Sequence, residues 1–416
     1  DLLDEFGFLA CGHLVVEEVV LQRQDAPGVA LAQGNLRAEG DQQRRGVADG
    51  RGVADVAAQG ALVADLQRGE TVQQLADVAQ VGEGALAAGD AVLAKPAEQT
   101  PLVAAEAVRL FHKAGLNPDL LALLPGRGET VGAALVSHPL IDGVAFTGGT
   151  DTATAINRAI ANRPGPIIPF IAETGGLNGM FVDTTALKEQ VIDDVILSAF
   201  GSSGQRCSAL RLLYVPHDAA DALIEGLKGA LAVQVVGDPA DPRTDIGPVI
   251  DAEARAALEA HLKRLEGDAR IVARAAVPAG AANGDFFAPT IAEVPTADYL
   301  EREVFGPVLH ICRYHPSELR EVAGKLAGRG YGLTLGVHSR MDAFADEVSR
   351  LVPAGNVYVN RSVIGAVVGV QPFGGEGLSG TGPKAGGPHS LIRFAAEKAV
   401  SVNIAAQGGD PALLNL

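Results

Sequence analysis

Cys207 is the residue whose type and setting best suit covalent chemistry. It follows Gly201-Ser202-Ser203-Gly204-Gln205-Arg206, which reads as a loop between an apolar helix and the strand Leu212 to Val215. A thiol held there lies at the mouth of a sheet, and a reactive cysteine needs partial exposure and positive surroundings, which Arg206 or backbone N–H groups can supply. The competing reading is a small buried hydrophobe, the commoner fate of a lone cysteine. Cys312, inside the strand-like Val308 to Cys312, fits that description. Glu173 stands in Ile171-Ala172-Glu173-Thr174-Gly175-Gly176, where a strand ends in a double-glycine turn that lets another group approach closely. Its carboxylate is either a general base or an acceptor for the amides of its own turn.

A second set of residues has the chemistry of nucleotide binding. Lys95 and Glu98, in Lys95-Pro96-Ala97-Glu98, leave a strand with their geometry fixed by Pro96 and Pro101. They either hold ribose hydroxyls or form a solvated ion pair. Thr147-Gly148-Gly149 places glycines between a strand and a helix, where backbone N–H groups can face a pyrophosphate. Glu301-Arg302-Glu303-Val304-Phe305-Gly306-Pro307 and the stretch from Pro372 to Gly382 read as plain loops unless they touch a ligand.

The elements that must position these residues are set by the hydrophobic pattern. Strands are predicted at 91–94, 120–124 and 143–146, with helices at 101–114, 130–137 and 151–161 between and after them. Such alternation implies parallel βαβ units, which bind nucleotides at the carboxyl ends of their strands. From Asp183 to Phe200, the residues Leu187, Val191, Val195 and Ala199 form a helical stripe, with Asp183 or Thr184 as its cap. A surface helix at 253–266 and a short strand at 356–360 complete the reading. Up to Gln80 the periodicity supports neither helices nor strands, and the string Arg-Gly-Val-Ala-Asp occurs twice, from Arg45 and from Arg51. That front reads as a loose segment or as sequence foreign to the fold.

Composition narrows the function classes. The 416 residues are 47 % hydrophobic, enough for two or three domains. With 33 Lys plus Arg against 50 Asp plus Glu, the net charge is −17, which repels phosphate backbones and argues against nucleic acid. The longest apolar run, Val363 to Val370, falls far below the roughly 20 residues of a transmembrane helix. Three cysteines without metal-ligand spacing predict free thiols in a reducing, cytoplasmic setting and no metal site. The first residue, Asp1, has no Met or leader, so a piece of the front is expected to be missing.

Taken in order, Phe-Thr-Gly, Glu-Thr-Gly-Gly, Gly-Gln-Arg-Cys, Glu-Val-Phe-Gly-Pro and Pro-Phe-Gly-Gly resemble the aldehyde dehydrogenase superfamily. Four longer segments, starting at Leu93, Leu124, Gly204 and Gly365, resemble its L-glutamate γ-semialdehyde (pyrroline-5-carboxylate) dehydrogenase module in the bifunctional bacterial proline utilization A proteins. The resemblance runs from about Gly84 to Leu416. It implies an α/β fold: a Rossmann-type NAD-binding domain, N-terminally incomplete, an α/β catalytic domain and a C-terminal tail. The corresponding division is 1–83 unrecognised, 84–172 NAD-binding, 173–388 catalytic and 389–416 a docking or oligomerisation tail.

Residue by residue, the resemblance makes Cys207 the nucleophile and Glu173 the base for the deacylating water. Lys95 and Glu98 match the adenosine ribose positions, Thr147, Gly148 and Gly149 the pyrophosphate turn, and Glu303 and Phe305 the nicotinamide ribose side. Ser208, Gly365, Ala366 and Phe373 match the positions that grip the substrate carboxylate and chain. A carboxylate at Glu98 would repel a 2′-phosphate, so NAD is expected rather than NADP. The family usually has Ser at Gly149, and its Asn-Phe-Pro segment ahead of the lysine falls here on Val72, which cannot donate to an oxyanion. Loss of one such donor costs about 100- to 1,000-fold in rate. A homo-oligomer and a proline dehydrogenase domain in the native chain are further expectations. The alternatives are another small acid semialdehyde as substrate, or a non-catalytic module that keeps the fold.

Overall fold

The computed structural model describes residues 18–22, 84–278, 284–366 and 370–403. Two sheets organise them. The first contains β1 (Glu18–Gln22), β2 (Ala91–Lys95), β3 (Leu121–Leu123), β4 (Gly143–Gly148) and β5 (Phe170–Thr174), in the order β3-β2-β1-β4-β5. β2 pairs parallel with β3 and β4 with β5, while β1 runs antiparallel to both β2 and β4. A strand at 18–22 departs from the featureless front that periodicity suggests. Its residues Glu-Val-Val-Leu-Gln are β-prone, but too few to stand out from their surroundings.

Helices α1 (Pro101–Lys113), α2 (Ala133–Ser137) and α3 (Thr150–Asn162) cover the two faces of this sheet. Alternation along the strands divides the core. Val92, Ala94, Ala145 and Ile171 face the α1 side, whereas Val144, Phe146 and Ala172 meet Val136, Ala153 and Ile156 from α2 and α3. The predicted helix at 130–137 is instead a π-turn over Gly128–Gly132 leading into α2. From the tail, Phe394 is buried in the α1-side core.

The second sheet comprises β6 (Gly179–Val182), β7 (Leu212–Pro216), β8 (Arg270–Arg274), β9 (Thr290–Glu293), β10 (Val308–Tyr314), β12 (Thr334–His338) and β13 (Asn356–Val359), ordered β13-β12-β6-β7-β10-β9-β8. All neighbours are parallel except β8 with β9. A ribbon of β11 (Tyr331–Gly332) and β14 (Glu376–Gly377) stands beside it. On one face, Phe181, Leu212, Tyr214, Leu335 and Val337 meet α6 (Ala252–Asp268), α7 (Leu319–Ala327) and α8 (Asp342–Leu351). On the other, Met180, Val182, Leu213 and Val215 meet α4 (Lys188–Phe200) and α5 (His217–Ala232). Each such fully buried Leu, Val or Phe contributes about 1.5–3 kcal/mol.

α4 begins at Lys188, not at the predicted Asp183. The Asp183 carboxylate is engaged elsewhere: it accepts from the Thr185 N–H and the Ser339 hydroxyl, closing a turn ahead of the helix. Among the described residues, no helix is long and apolar enough to cross a membrane, and no group of His, Cys, Asp or Glu could hold a metal ion. Cys11 and Val72 lie outside the described residues.

Candidate active site

β5 runs from Phe170 to Thr174, and β6 begins only at Gly179, so the carboxyl edge of the first sheet hands the chain directly to the amino edge of the second. The predicted domain boundary at 172/173 falls inside β5. Glu173 is the penultimate residue of that strand, in register with Thr147. The Thr147–Gly149 turn and the candidate base therefore share one edge of the first sheet. Cys207 lies ahead of β7, on the amino edge of the second.

Glu173 is held by a late segment of the chain. Residues 374–382, which read as a plain glycine-rich loop in the sequence, form a strap along the free edge of β5. Thr174 N–H donates to Ser379 O at 2.9 Å, Thr381 N–H to Ala172 O at 2.9 Å, and Glu173 bridges Gly380. The Gly375 N–H donates to Glu173 Oε2 at 2.8 Å, and Oε1 is buried with no hydrogen-bond partner. Burial pushes the Glu173 carboxyl up to about 8, against the Gly375 amide and the Lys384 cation, which pull it down. The amide that Glu173 accepts comes from the strap, not from its own turn as the sequence reading expected, and Oε1 is left without a partner. A Cβ at Gly380 would lie 2.7 Å from Glu173 Oε1, so the glycine is what lets the strap cross there.

The loop that leads to Cys207 is wound tightly. After α4 ends, Ser202, Ser203 and Gly204 all have left-handed backbone, with φ of 54°, 56° and 64°. Asn178 holds the far end of the loop: its amide donates to Cys207 O at 2.7 Å and Ala209 O at 2.8 Å and accepts from Thr334 N–H at 3.1 Å. Cys207 is half-buried, whereas Cys312 is buried and burial pushes its thiol up to about 11. Gly204 presses on the loop after Glu303, where an added Cβ would meet Gly306 O at 2.3 Å. Gly204→Ala is therefore expected to cost about 2–4 kcal/mol, combining left-handed strain and overpacking. Urea unfolding measures it, and a loss below about 1 kcal/mol would contradict the close approach.

Glu303 reaches both loops. Its Oε1 accepts from Arg211 Nη2 at 3.0 Å. Its Oε2 occupies the space a Cβ on Gly175 would need, 1.9 Å away, so it is the group that the double-glycine turn admits. Burial raises its carboxyl, while Arg211 and the Gly176 amide lower it. Phe305 is exposed, with Arg211 Cζ 5.2 Å from its ring centroid.

On the cofactor side, Lys95 is fully buried as the last residue of β2, its Nζ donating to Pro96 O at 3.3 Å. Glu98 accepts from the Gly128 N–H at 2.6 Å, with Arg127 Nε at 4.0 Å. Gly148 ends β4 and Gly149 caps α3. A Cβ at Gly149 would meet only Thr152 Oγ1, at 4.0 Å, so its backbone is open to a ligand. On the substrate side, Ser208 is buried beside Cys207, its carbonyl accepting from the Thr334 hydroxyl at 3.2 Å. Gly365 has φ of 77°, and its loop is tied to α4 by Val363 N–H donating to Ser198 Oγ at 3.1 Å. Ala366 comes next in the same loop, and Phe373 pairs with Ala385 at the start of the strap.

The aldehyde dehydrogenase family profile matches residues 78–400. The chain belongs to the aldehyde dehydrogenase family. Among family members, the chain is 51 % identical over 337 residues to bifunctional protein PutA of Klebsiella aerogenes, covering 78 % of this chain and 26 % of that protein. It is 37 % identical over 322 residues to 1-pyrroline-5-carboxylate dehydrogenase of Geobacillus sp. strain WCH70, covering 76 % of this chain and 62 % of that one. A crystal structure of a Bradyrhizobium japonicum proline utilization A variant superposes with a TM-score of 0.75 at 55 % identity, covering 78 % of this chain and 33 % of the other. A Thermus 1-pyrroline-5-carboxylate dehydrogenase crystallised with bound NAD gives 0.67 at 35 % identity, covering 73 % and 58 %. The chain spans about a quarter of the length of the PutA relatives it matches.

Two residues that build this site, Asn178 and Asn356, lie outside the sequence motifs, and Arg211 lies at the end of the segment that starts at Gly204 without a role assigned by it. Asn356 donates to Pro372 O at 2.8 Å and accepts from Gly374 N–H at 3.2 Å, anchoring the start of the strap. Arg211 did leave a signal, a charge inside the apolar run Ala209-Leu210-Arg211-Leu212-Leu213, because a cation buried there has to be paired.

Proposed function

We propose that this chain oxidises L-glutamate γ-semialdehyde, the opened form of 1-pyrroline-5-carboxylate, to L-glutamate with NAD. The observation that carries the reading is Glu173: a buried carboxyl of raised proton affinity with one unbonded oxygen, on the same edge as the turn whose Gly149 is open. NAD fits the residues present. Gly149 presents open backbone at the start of α3, and Lys95 and Glu98 stand at the end of β2. When bound, NAD supplies the hydride acceptor.

The chain's own residues supply the rest. Cys207 Sγ adds to the aldehyde carbon as the thiol proton passes to the carbonyl oxygen, giving a thiohemiacetal; loss of hydride from that carbon and of the hydroxyl proton to water leaves a thioester on Cys207. Glu173 Oε1 then takes a proton from water as its oxygen adds to the thioester carbon, and expulsion of the Cys207 sulfur releases the acid. The Ser208 hydroxyl and the N–H groups of Gly365 and Ala366 hold the substrate's carboxylate without a buried counter-charge, with the Phe373 ring against its chain. Resemblance to the bifunctional relatives supports a proline dehydrogenase domain in the native chain that supplies pyrroline-5-carboxylate. Exposed Val400 and Val402 on the tail support assembly with a second copy. Cys207, half-buried and in no disulfide, suits a reducing, cytoplasmic setting.

NADH formation from pyrroline-5-carboxylate, compared with succinate semialdehyde, tests the substrate; equal or better efficiency on the shorter acid would refute it. Ser208→Ala is expected to lower kcat/KM about tenfold for the carboxylated substrate, the worth of one hydrogen bond to a charged group. An uncharged aldehyde of similar length should lose less, and equal losses would remove Ser208 from carboxylate binding.

A further inference from the structure

Arg211 is the largest fully buried side chain among the described residues, and every donor nitrogen of its guanidinium is used. Nη1 donates to Gly204 O at 2.6 Å and Gly306 O at 3.2 Å; Nη2 donates to Arg206 O at 3.0 Å and Glu303 Oε1 at 3.0 Å; Nε reaches the same Oε1 at 3.3 Å. Two of the four oxygens belong to the loop that ends in Cys207, and two to the loop that carries Glu303 and Phe305. The loops also touch directly, since the space beside Gly204 is filled by Gly306 O. No other ion pair reaches Glu303 among the described residues. Behind Arg211, its carbonyl accepts from both the backbone N–H of His310, at 3.0 Å, and His310 Nδ1, at 2.9 Å. Burial lowers the His261 and His310 rings to about 4 and about 3, so near neutral pH His310, donating through Nδ1, accepts at Nε2 from His261 Nε2, 2.8 Å away.

We propose that Arg211 is a positioning residue that registers the nucleophile against the cofactor: one planar cation sets the Cys207 loop and the Glu303 loop together. This deepens the dehydrogenase reading and rests on it only for the identity of the cofactor. A planar fork reaches four oxygens lying in different directions, which the single ammonium of a lysine cannot. The hydrogen bonds of its guanidinium end on Glu303 and on carbonyls of the two loops, so Arg211 acts through those loops.

Two quantities test it on the whole chain: the rate of Cys207 alkylation by iodoacetamide without NAD, and the affinity for NAD by fluorescence titration. Arg211→Met is expected to slow alkylation at least fivefold and weaken NAD at least tenfold. Glu303→Gln is expected to weaken NAD while leaving alkylation within twofold of wild type. If Arg211→Met does not fold, Arg211→Lys reads the same pair, with smaller losses in both. In turnover it raises KM for NAD and lowers kcat together. An Arg211 variant that alkylates as fast as wild type, or one that changes a single quantity, overturns the proposal. Should wild type bind no NAD, the cofactor reading fails, and the alkylation rates still decide whether Arg211 sets the nucleophile loop.

Discussion

Cys207→Ala is expected to remove NADH formation from pyrroline-5-carboxylate, with a fall of at least about 10⁴-fold, the scale seen when a covalent nucleophile is deleted. The loss should be chemical and not structural. The loop is held through the Cys207 carbonyl, which accepts from Asn178, and through Arg211 on the carbonyls of Gly204 and Arg206, so none of these anchors uses the thiol. The variant should therefore melt within a few degrees of wild type and still bind NAD. Mass spectrometry after mixing with aldehyde and NAD should show an acyl adduct on wild type and none on the variant. A variant that keeps its rate would mean that the aldehyde is oxidised without a covalent step.

Glu173→Gln should separate the two halves of the reaction. Acylation needs the thiol, so a single-turnover burst of NADH is expected to survive. Steady-state turnover should fall by about 10²- to 10⁴-fold, the usual worth of a positioned general base. The pH profile is a consequence of burial. With its carboxyl raised from an ordinary 4.5 to about 8, Glu173 is the ionised base only above that pH, so wild-type deacylation should climb with pH through about 8 and then level off. In the glutamine variant that slope should vanish. Stability moves the other way. The folded state keeps the proton on Glu173 between pH 4.5 and about 8, and the unfolded chain has already lost it, so the contribution is present at low pH and fades as pH rises through about 8. Glu173→Gln should accordingly melt higher than wild type above about pH 8 and about equally below pH 4.5. A turnover profile unchanged by the substitution would take the role of base away from Glu173.

The parts of this molecule that can be read from sequence are those whose meaning is local. A βαβ rhythm fixes β2 to β5 and α1 to α3 because each strand and helix announces itself within a few residues. Glu173 before two glycines, and Cys207 after a run of Gly and Ser, declare their settings in the same way. What cannot be read is whatever depends on a distant partner. Arg211 pairs with a glutamate 92 positions later, Asn178 with Thr334 156 positions along, and the Glu173 carboxylate with the Gly375 amide 202 positions away. The early start expected for α4 failed for a related reason: Ser339, far along the chain, draws the Asp183 carboxylate away from a capping role.

The strap over β5 also sets the order in which the protein becomes competent during synthesis. A nascent chain that has passed β7 already owns the nucleophile loop, and by β10 it owns Glu303 and Arg211's four acceptors. Glu173 at that stage lies on an uncovered strand edge, as a solvated carboxylate of ordinary acidity. Only when residues 374–382 emerge and close a loop of some two hundred residues does the base acquire its buried surroundings. Closing so long a loop is entropically slow compared with local contacts. Deacylation through Glu173 would thus depend on a segment made some two hundred residues after it, and a chain released before that segment would be expected to acylate once and stall.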